Sequence, residues 1–172
     1  AGNGQWSSMN PPDARLVVNT SPLIHLAEAN LLHLLRDAAP VVWVPEPVAR
    51  EIRAYGQSDP TAPALAAQAW LEVRPVAAVP ADILAWNLGA GESAVLALAR
   101  AFPDSTVVID DLAGRRCAEA LNLSLRGTVG LVLAAKQAGR ITAARPVLER
   151  LRDSGMYLSD AVLNRALSRV GE

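Results

Sequence analysis

The stretch RLVVNTSPLIHLAEANLLHLL, residues 15–35, changes its hydrophobic period part-way along. Its opening is a short apolar run. Leu23, Ile24, Leu26, Ala27, Leu31, Leu34 and Leu35 then recur at helical spacing. The pattern predicts a buried strand over 15–18 followed by one helix over 21–36. Asn19-Thr20-Ser21 lies at the junction. Asn19 has three readings there: a helix cap, part of a catalytic site, or an amide in the place of a lost carboxylate.

The same alternation continues along the chain. VVWV, 41–44, reads as a second strand, and Pro47 suits the first turn of a helix reaching about Tyr55. A loop, GQSDPTAP, leads to an Ala-rich helix over 62–70. LEVRPV, 71–76, reads as an edge strand because its proline limits pairing. A short helix near 81–87 precedes GAGES, 89–93, and a strong helix to about Phe102. STVVI, 105–109, is a fully apolar strand, followed by a helix over 112–121 and a short strand at LSLRG, 123–127. Three helices end the chain, over 128–138, 143–154 and 159–169, with Gly139 and Gly155 between them and Ser159 as an N-cap. Strands alternating with helices imply a parallel sheet covered on both faces, with ligands beyond the carboxyl ends of its strands. The reading is one domain over 15–172 behind an extension, 1–14. Residues 1–8 read as a remnant ahead of a natural start at Met9.

Composition bounds what such a chain does. Of 172 residues, 51% are hydrophobic and only 4% aromatic, so the core must be aliphatic. No window approaches the roughly 18 apolar residues of a membrane helix. AGNGQWSSMN lacks the charged and apolar regions of a signal peptide. The lone cysteine, Cys117, excludes an intramolecular disulfide and fits a reducing cytoplasm. Charge is uneven: residues 1–111 carry 12 acids against 6 bases, and residues 112–172 carry 5 acids against 10 bases. A basic second half suits phosphates, and it suits a solvated helical surface equally.

Three carboxylates stand out by position. Asp110 directly follows the apolar strand 105–109, at the expected edge of a site, although a single Asp there also reads as a loop or cap residue. Asp111 is better placed to cap the next helix. Glu92 shares a helical stripe with Val95, Leu96 and Ala99, so it faces the core. Glu51 lies beside Val48, Ile52 and Tyr55 in the same way. Unpaired burial of a carboxylate is costly, and clustered carboxylates raise one another's pKa. A divalent cation resolves both problems, and oxygen-only ligands suit Mg²⁺ or Mn²⁺. Such an ion activates water for in-line attack on a phosphodiester.

Other chemistries lack their residues. There is no GxxxxGK[ST] loop, and Gly89-Ala90-Gly91 is too short for a dinucleotide fingerprint. His25 and His33 are eight apart without a Cys cluster, a poor zinc set. Ser21 has no evident His/Asp relay.

Five segments, in this order and spacing, resemble the PIN domain superfamily. They are VVNTSPLIHLAEANLLHLL, VWVPEPVAREI, GAGESAVLALA, VVIDDLAGRRCAEALNLSLRGTVGLVLAAKQAGRI and LERLRDSGMYLSDAVLNRAL. The resemblance is strongest to a prokaryotic branch of uncharacterised PIN-like proteins related to VapC toxins. It implies a Rossmann-like three-layer α/β/α sandwich with a central parallel sheet. It further implies a Mg²⁺- or Mn²⁺-dependent ribonuclease, the toxin of a type II toxin–antitoxin pair, with RNA as substrate, a small antitoxin as partner and a homodimeric state. The implied catalytic and metal-holding residues are Asn19, Glu51, Glu92 and Asp110. Ser21 and Asp111 would support them, and Arg115 and Arg116 would meet substrate phosphate. Asn19 departs from the pattern, since most active relatives carry Asp there. A noncatalytic PIN scaffold that binds RNA or a protein partner is the alternative, and a structure-specific DNase a third reading.

Overall fold

The computed structural model describes residues 14–172. Apart from Ala14, the expected extension, with the readings of residues 1–8 and Met9, lies outside the described residues. Five strands form one sheet: β1 (Arg15–Val18), β2 (Val41–Pro45), β3 (Leu71–Arg74), β4 (Ser105–Val108) and β5 (Ser124–Arg126). Their order is β3-β2-β1-β4-β5 and every neighbouring pair is parallel. The chain builds outward from β1 to β3, then returns to lay β4 on the other side of β1. The sheet therefore has its topological switch point between β1 and β4, where parallel α/β sheets leave a crevice for ligands.

Ten helices are described: α1 (Thr20–Glu28), α2 (His33–Ala38), α3 (Glu46–Ala54), α4 (Thr61–Ala67), α5 (Ala81–Leu84), α6 (Ala90–Ala101), α7 (Leu112–Ala120), α8 (Thr128–Gln137), α9 (Arg145–Asp153) and α10 (Asp160–Ser168). Helix α6 lies on β1, β2 and β4 and carries α3, α5 and α7, while α2 packs on β2 and on α8, which α9 and α10 join. The result is an α/β/α sandwich. Its central strands are covered on both faces, so Val17, Val18, Val42, Val44, Val107 and Val108 are all buried despite alternating direction. The core is aliphatic, with one aromatic contact among the described residues: Trp43 meets Phe102 edge-on at 4.7 Å. The guanidiniums of Arg15 and Arg74 lie 5.0 and 4.7 Å from the Trp43 ring, which explains arginines on strands that otherwise bury apolar groups. No described helix is long and apolar enough to cross a membrane.

The helix expected over 21–36 is two helices. Asn30 adopts φ +55°, a left-handed conformation that Asn tolerates better than other side chains, and it ends α1. Leu31 N–H then donates back to Leu26 O at 2.7 Å before α2 begins. The apolar stripe is continuous in sequence, so periodicity could not register the break. Arg150 of α9 seals this end, donating from Nε to Ala29 O (2.6 Å) and from Nη2 to Asn30 O (2.9 Å). The last carbonyls of a helix need such partners. A second remote cap closes the start of α9, where Glu172 accepts from Ala144 N (2.7 Å) and Arg145 N (3.0 Å).

Two stability measurements follow from these caps. Arg150→Met removes both bonds to the α1 terminus and should lower unfolding free energy by about 1 kcal/mol in urea titration. The two backbone donors, with Lys136 nearby, hold the Glu172 carboxyl below its usual pKa. Its contribution is therefore present above the unfolded-state value and is lost as pH falls through the folded one. Glu172→Gln should melt below wild type at neutral pH, and the gap should close on acidification below the ordinary glutamate range.

Candidate active site

Asn19 continues the β1 ladder by one residue, its N–H donating to Val108 O at 3.0 Å. This bond fixes Asn19 beside the end of β4, with Ile109 and Asp110 next in the chain. Asn19 occupies the N-cap position of α1, but its side chain makes no cap bond. The amide points into the protein instead and is 2% exposed. Its Nδ2 faces Glu92 Oε1 at 3.4 Å, a long hydrogen bond. Its Oδ1 is buried without a hydrogen-bond partner among the described residues.

Glu51, on α3, reaches the same point. Its Oε2 accepts from Thr20 Oγ1 at 2.5 Å and its Oε1 from Gly91 N at 3.2 Å. The Gly91 amide belongs to the first turn of α6, where backbone donors are unsatisfied and the helix dipole favours an anion. A β-carbon on Gly91 would lie 2.9 and 3.0 Å from the Glu51 oxygens and 3.2 Å from Asn19 Oδ1. Three oxygens thus crowd one glycine face, and the absence of a side chain permits it. Glu92 folds back over Gly89, the N-cap of α6, so that a β-carbon there would meet its carboxylate.

Asp110 follows β4 and turns toward α8. Thr128 N donates to its Oδ1 at 2.7 Å and Thr128 Oγ1 to its Oδ2 at 2.6 Å. Gly127, the N-cap of α8, has no side chain of its own to do this. A β-carbon on Gly127 would sit 3.0 Å from Asp110 Oδ1 and 2.5 Å from Arg115 Nη1, so the Arg115 guanidinium and the Asp110 carboxylate flank the same glycine.

The structure thus joins Asn19, Glu51 and Glu92 in one polar group. Asp110 stands at the end of the neighbouring strand, engaged with Thr128. Among the described residues, no three acids, histidines or cysteines stand close enough to form a ready-made metal cage. Arg115 is half-buried beside Asp110, whereas Arg116 is exposed. Asp111 is the N-cap of α7, accepting from Gly114 N at 2.9 Å. Ser21, expected to support the first site residue, is exposed, and the hydroxyl that meets an acid is that of Thr20. Sequence reading missed Thr20, Gly91, Gly127 and Thr128. The two glycines carried a signal, since both stand at the start of a strongly apolar helix where a cap or close approach is expected. Neither threonine carried one.

A family model described as PIN domain matches residues 15–172. Among solved structures, that of the PIN domain endonuclease Utp24 is similar, with a TM-score of 0.53 and 10% identity over 68% of this chain and 86% of that one. At that identity the likeness is one of fold. No curated protein matches the chain.

Gly91→Ala tests the crowded oxygen face. Alanine inside a helix is ordinarily worth up to about 1 kcal/mol over glycine. Here overpacking against the oxygens of Glu51 and Asn19 should reverse the sign, for a net loss of about 1–2 kcal/mol in denaturant unfolding. A stabilised Gly91→Ala protein would show that this face is looser than the distances state.

Proposed function

Because the chain belongs to the PIN domain family, we propose that it is a metal-dependent ribonuclease that hydrolyses phosphodiester bonds in RNA. One observation carries the reading: the buried, unpartnered Oδ1 of Asn19 lies among carboxylate oxygens at the switch point of the sheet. The donors are all oxygen, the set that Mg²⁺ and Mn²⁺ take. Each carboxylate oxygen that accepts one hydrogen bond keeps a second lone pair. The donor chemistry therefore suits such an ion, and Asp110, Glu92, Glu51 and Asn19 would hold it by closing in from positions that do not yet form a cage. The ion would supply Lewis acidity and activated water for attack at phosphorus.

The chain's own groups prepare that site. Thr20 and the Gly91 amide hold Glu51 in one orientation. Asn19 Nδ2 faces Glu92, which limits repulsion between the acids. Arg115 adds a positive charge beside Asp110, where an RNA phosphate would otherwise meet only carboxylates, and exposed Arg116 offers a second contact. Resemblance to VapC-related proteins supports the further reading of a cytoplasmic, homodimeric toxin paired with a small antitoxin. One observation favours the noncatalytic scaffold: among the described residues no three acids stand close enough to form a ready-made metal cage.

Incubation of the purified chain with single-stranded RNA separates the two readings. Cleavage is expected with Mg²⁺ or Mn²⁺ and should stop with chelator. Asp110→Asn or Glu92→Gln should slow it by about 100-fold or more. Cleavage that ignores both substitutions would remove these residues from the site, and no cleavage with any divalent ion would favour the scaffold.

A further inference from the structure

We infer that Thr128 is a positioning residue for Asp110, acting through a two-point clamp at the start of α8. The inference rests on the nuclease reading above and extends it to a residue outside the acid set. Thr128 is fully buried, and its N–H and Oγ1–H each donate to a different oxygen of the same carboxylate. Two short bonds to two oxygens fix both the rotation and the reach of the Asp110 side chain. A lone cap needs only one. Asp111, next in sequence, shows the ordinary case: it caps α7 through a single 2.9 Å bond from Gly114 N.

Gly127 is a separate observation pointing the same way. It has φ −94°, open to any residue, so glycine is not demanded by backbone conformation. Its missing side chain instead leaves room for the carboxylate, since a β-carbon would lie 3.0 Å from Asp110 Oδ1 and would press on the flexible end of Arg115. The Gly127-Thr128 pair therefore seats the carboxylate. Hydroxyls and amides that orient a metal-holding carboxylate typically change metal affinity by about 10–100-fold when removed.

Mn²⁺ titration calorimetry of the full chain tests this, together with steady-state RNA cleavage and thermal melts. Thr128→Val keeps volume and the backbone donor but deletes the hydroxyl. It should weaken Mn²⁺ binding by about tenfold or more and reduce kcat with KM little changed. Thr128→Ser should restore both, which a packing role for the threonine methyl would not allow. If Thr128→Val does not fold, Gly127→Ala serves in its place: it leaves the hydroxyl intact, presses on Asp110 Oδ1, and should weaken Mn²⁺ binding as well. Wild-type affinity in a folded Thr128→Val or Gly127→Ala protein would overturn the clamp while leaving the nuclease reading in place. A wild-type chain that binds no Mn²⁺ and cleaves no RNA would overturn both.

Discussion

Carboxylates gathered at one end of a parallel sheet repel one another and are costly to take from water. The local architecture answers that constraint one acid at a time. Glu51 receives a buried hydroxyl and a helix-start amide. Asp110 receives a hydroxyl and an amide from a single residue. Among the described residues, Glu92 receives only the long contact from Asn19 and is the least restrained of the three. The strand order makes these arrangements possible, because β1 and β4 are neighbours whose ends Asn19 ties together through Val108.

Asn19 fits the same constraint. A carboxylate at this position would face both oxygens of Glu51 across Gly91, and Glu92 as well. The amide lowers the negative charge of the group and contributes a donor toward Glu92. Its other atom, Oδ1, is left buried and without a hydrogen-bond partner among the described residues. An unpartnered buried acceptor costs free energy, about 1–3 kcal/mol, that a bound cation would return. The reading of Asn19 as a helix cap is therefore correct for its backbone and wrong for its side chain.

Much of the fold was legible in the sequence because the signals that set it are local. The apolar runs at 15–18, 41–44 and 105–109 became β1, β2 and β4, and the proline-bearing 71–76 became the edge strand β3. Ser159 and Asp111 cap the helices they precede. The break at Asn30 was not legible, since one residue in a left-handed conformation leaves the apolar stripe intact. The acids Glu51 and Glu92 stood out because each interrupts a buried face. The hydroxyls that hold two of the three acids did not stand out. Thr20 lies 31 residues from Glu51 and Thr128 lies 18 from Asp110, so only the packed sheet brings them together. Ser21 looked the better support by family pattern, yet its side chain is exposed at the start of α1.

We propose that the ends of β1 and β4, with α3 and α6, take a divalent metal with Asn19 among its partners. The most direct measurement is calorimetric titration of Mn²⁺ into the wild-type chain and into Asn19→Asp. Mn²⁺ should bind the wild type, and bind the variant more tightly, because a carboxylate replaces a neutral oxygen at the unpartnered position of Oδ1. Equal affinity in the two proteins, or no binding to either, would contradict the proposal.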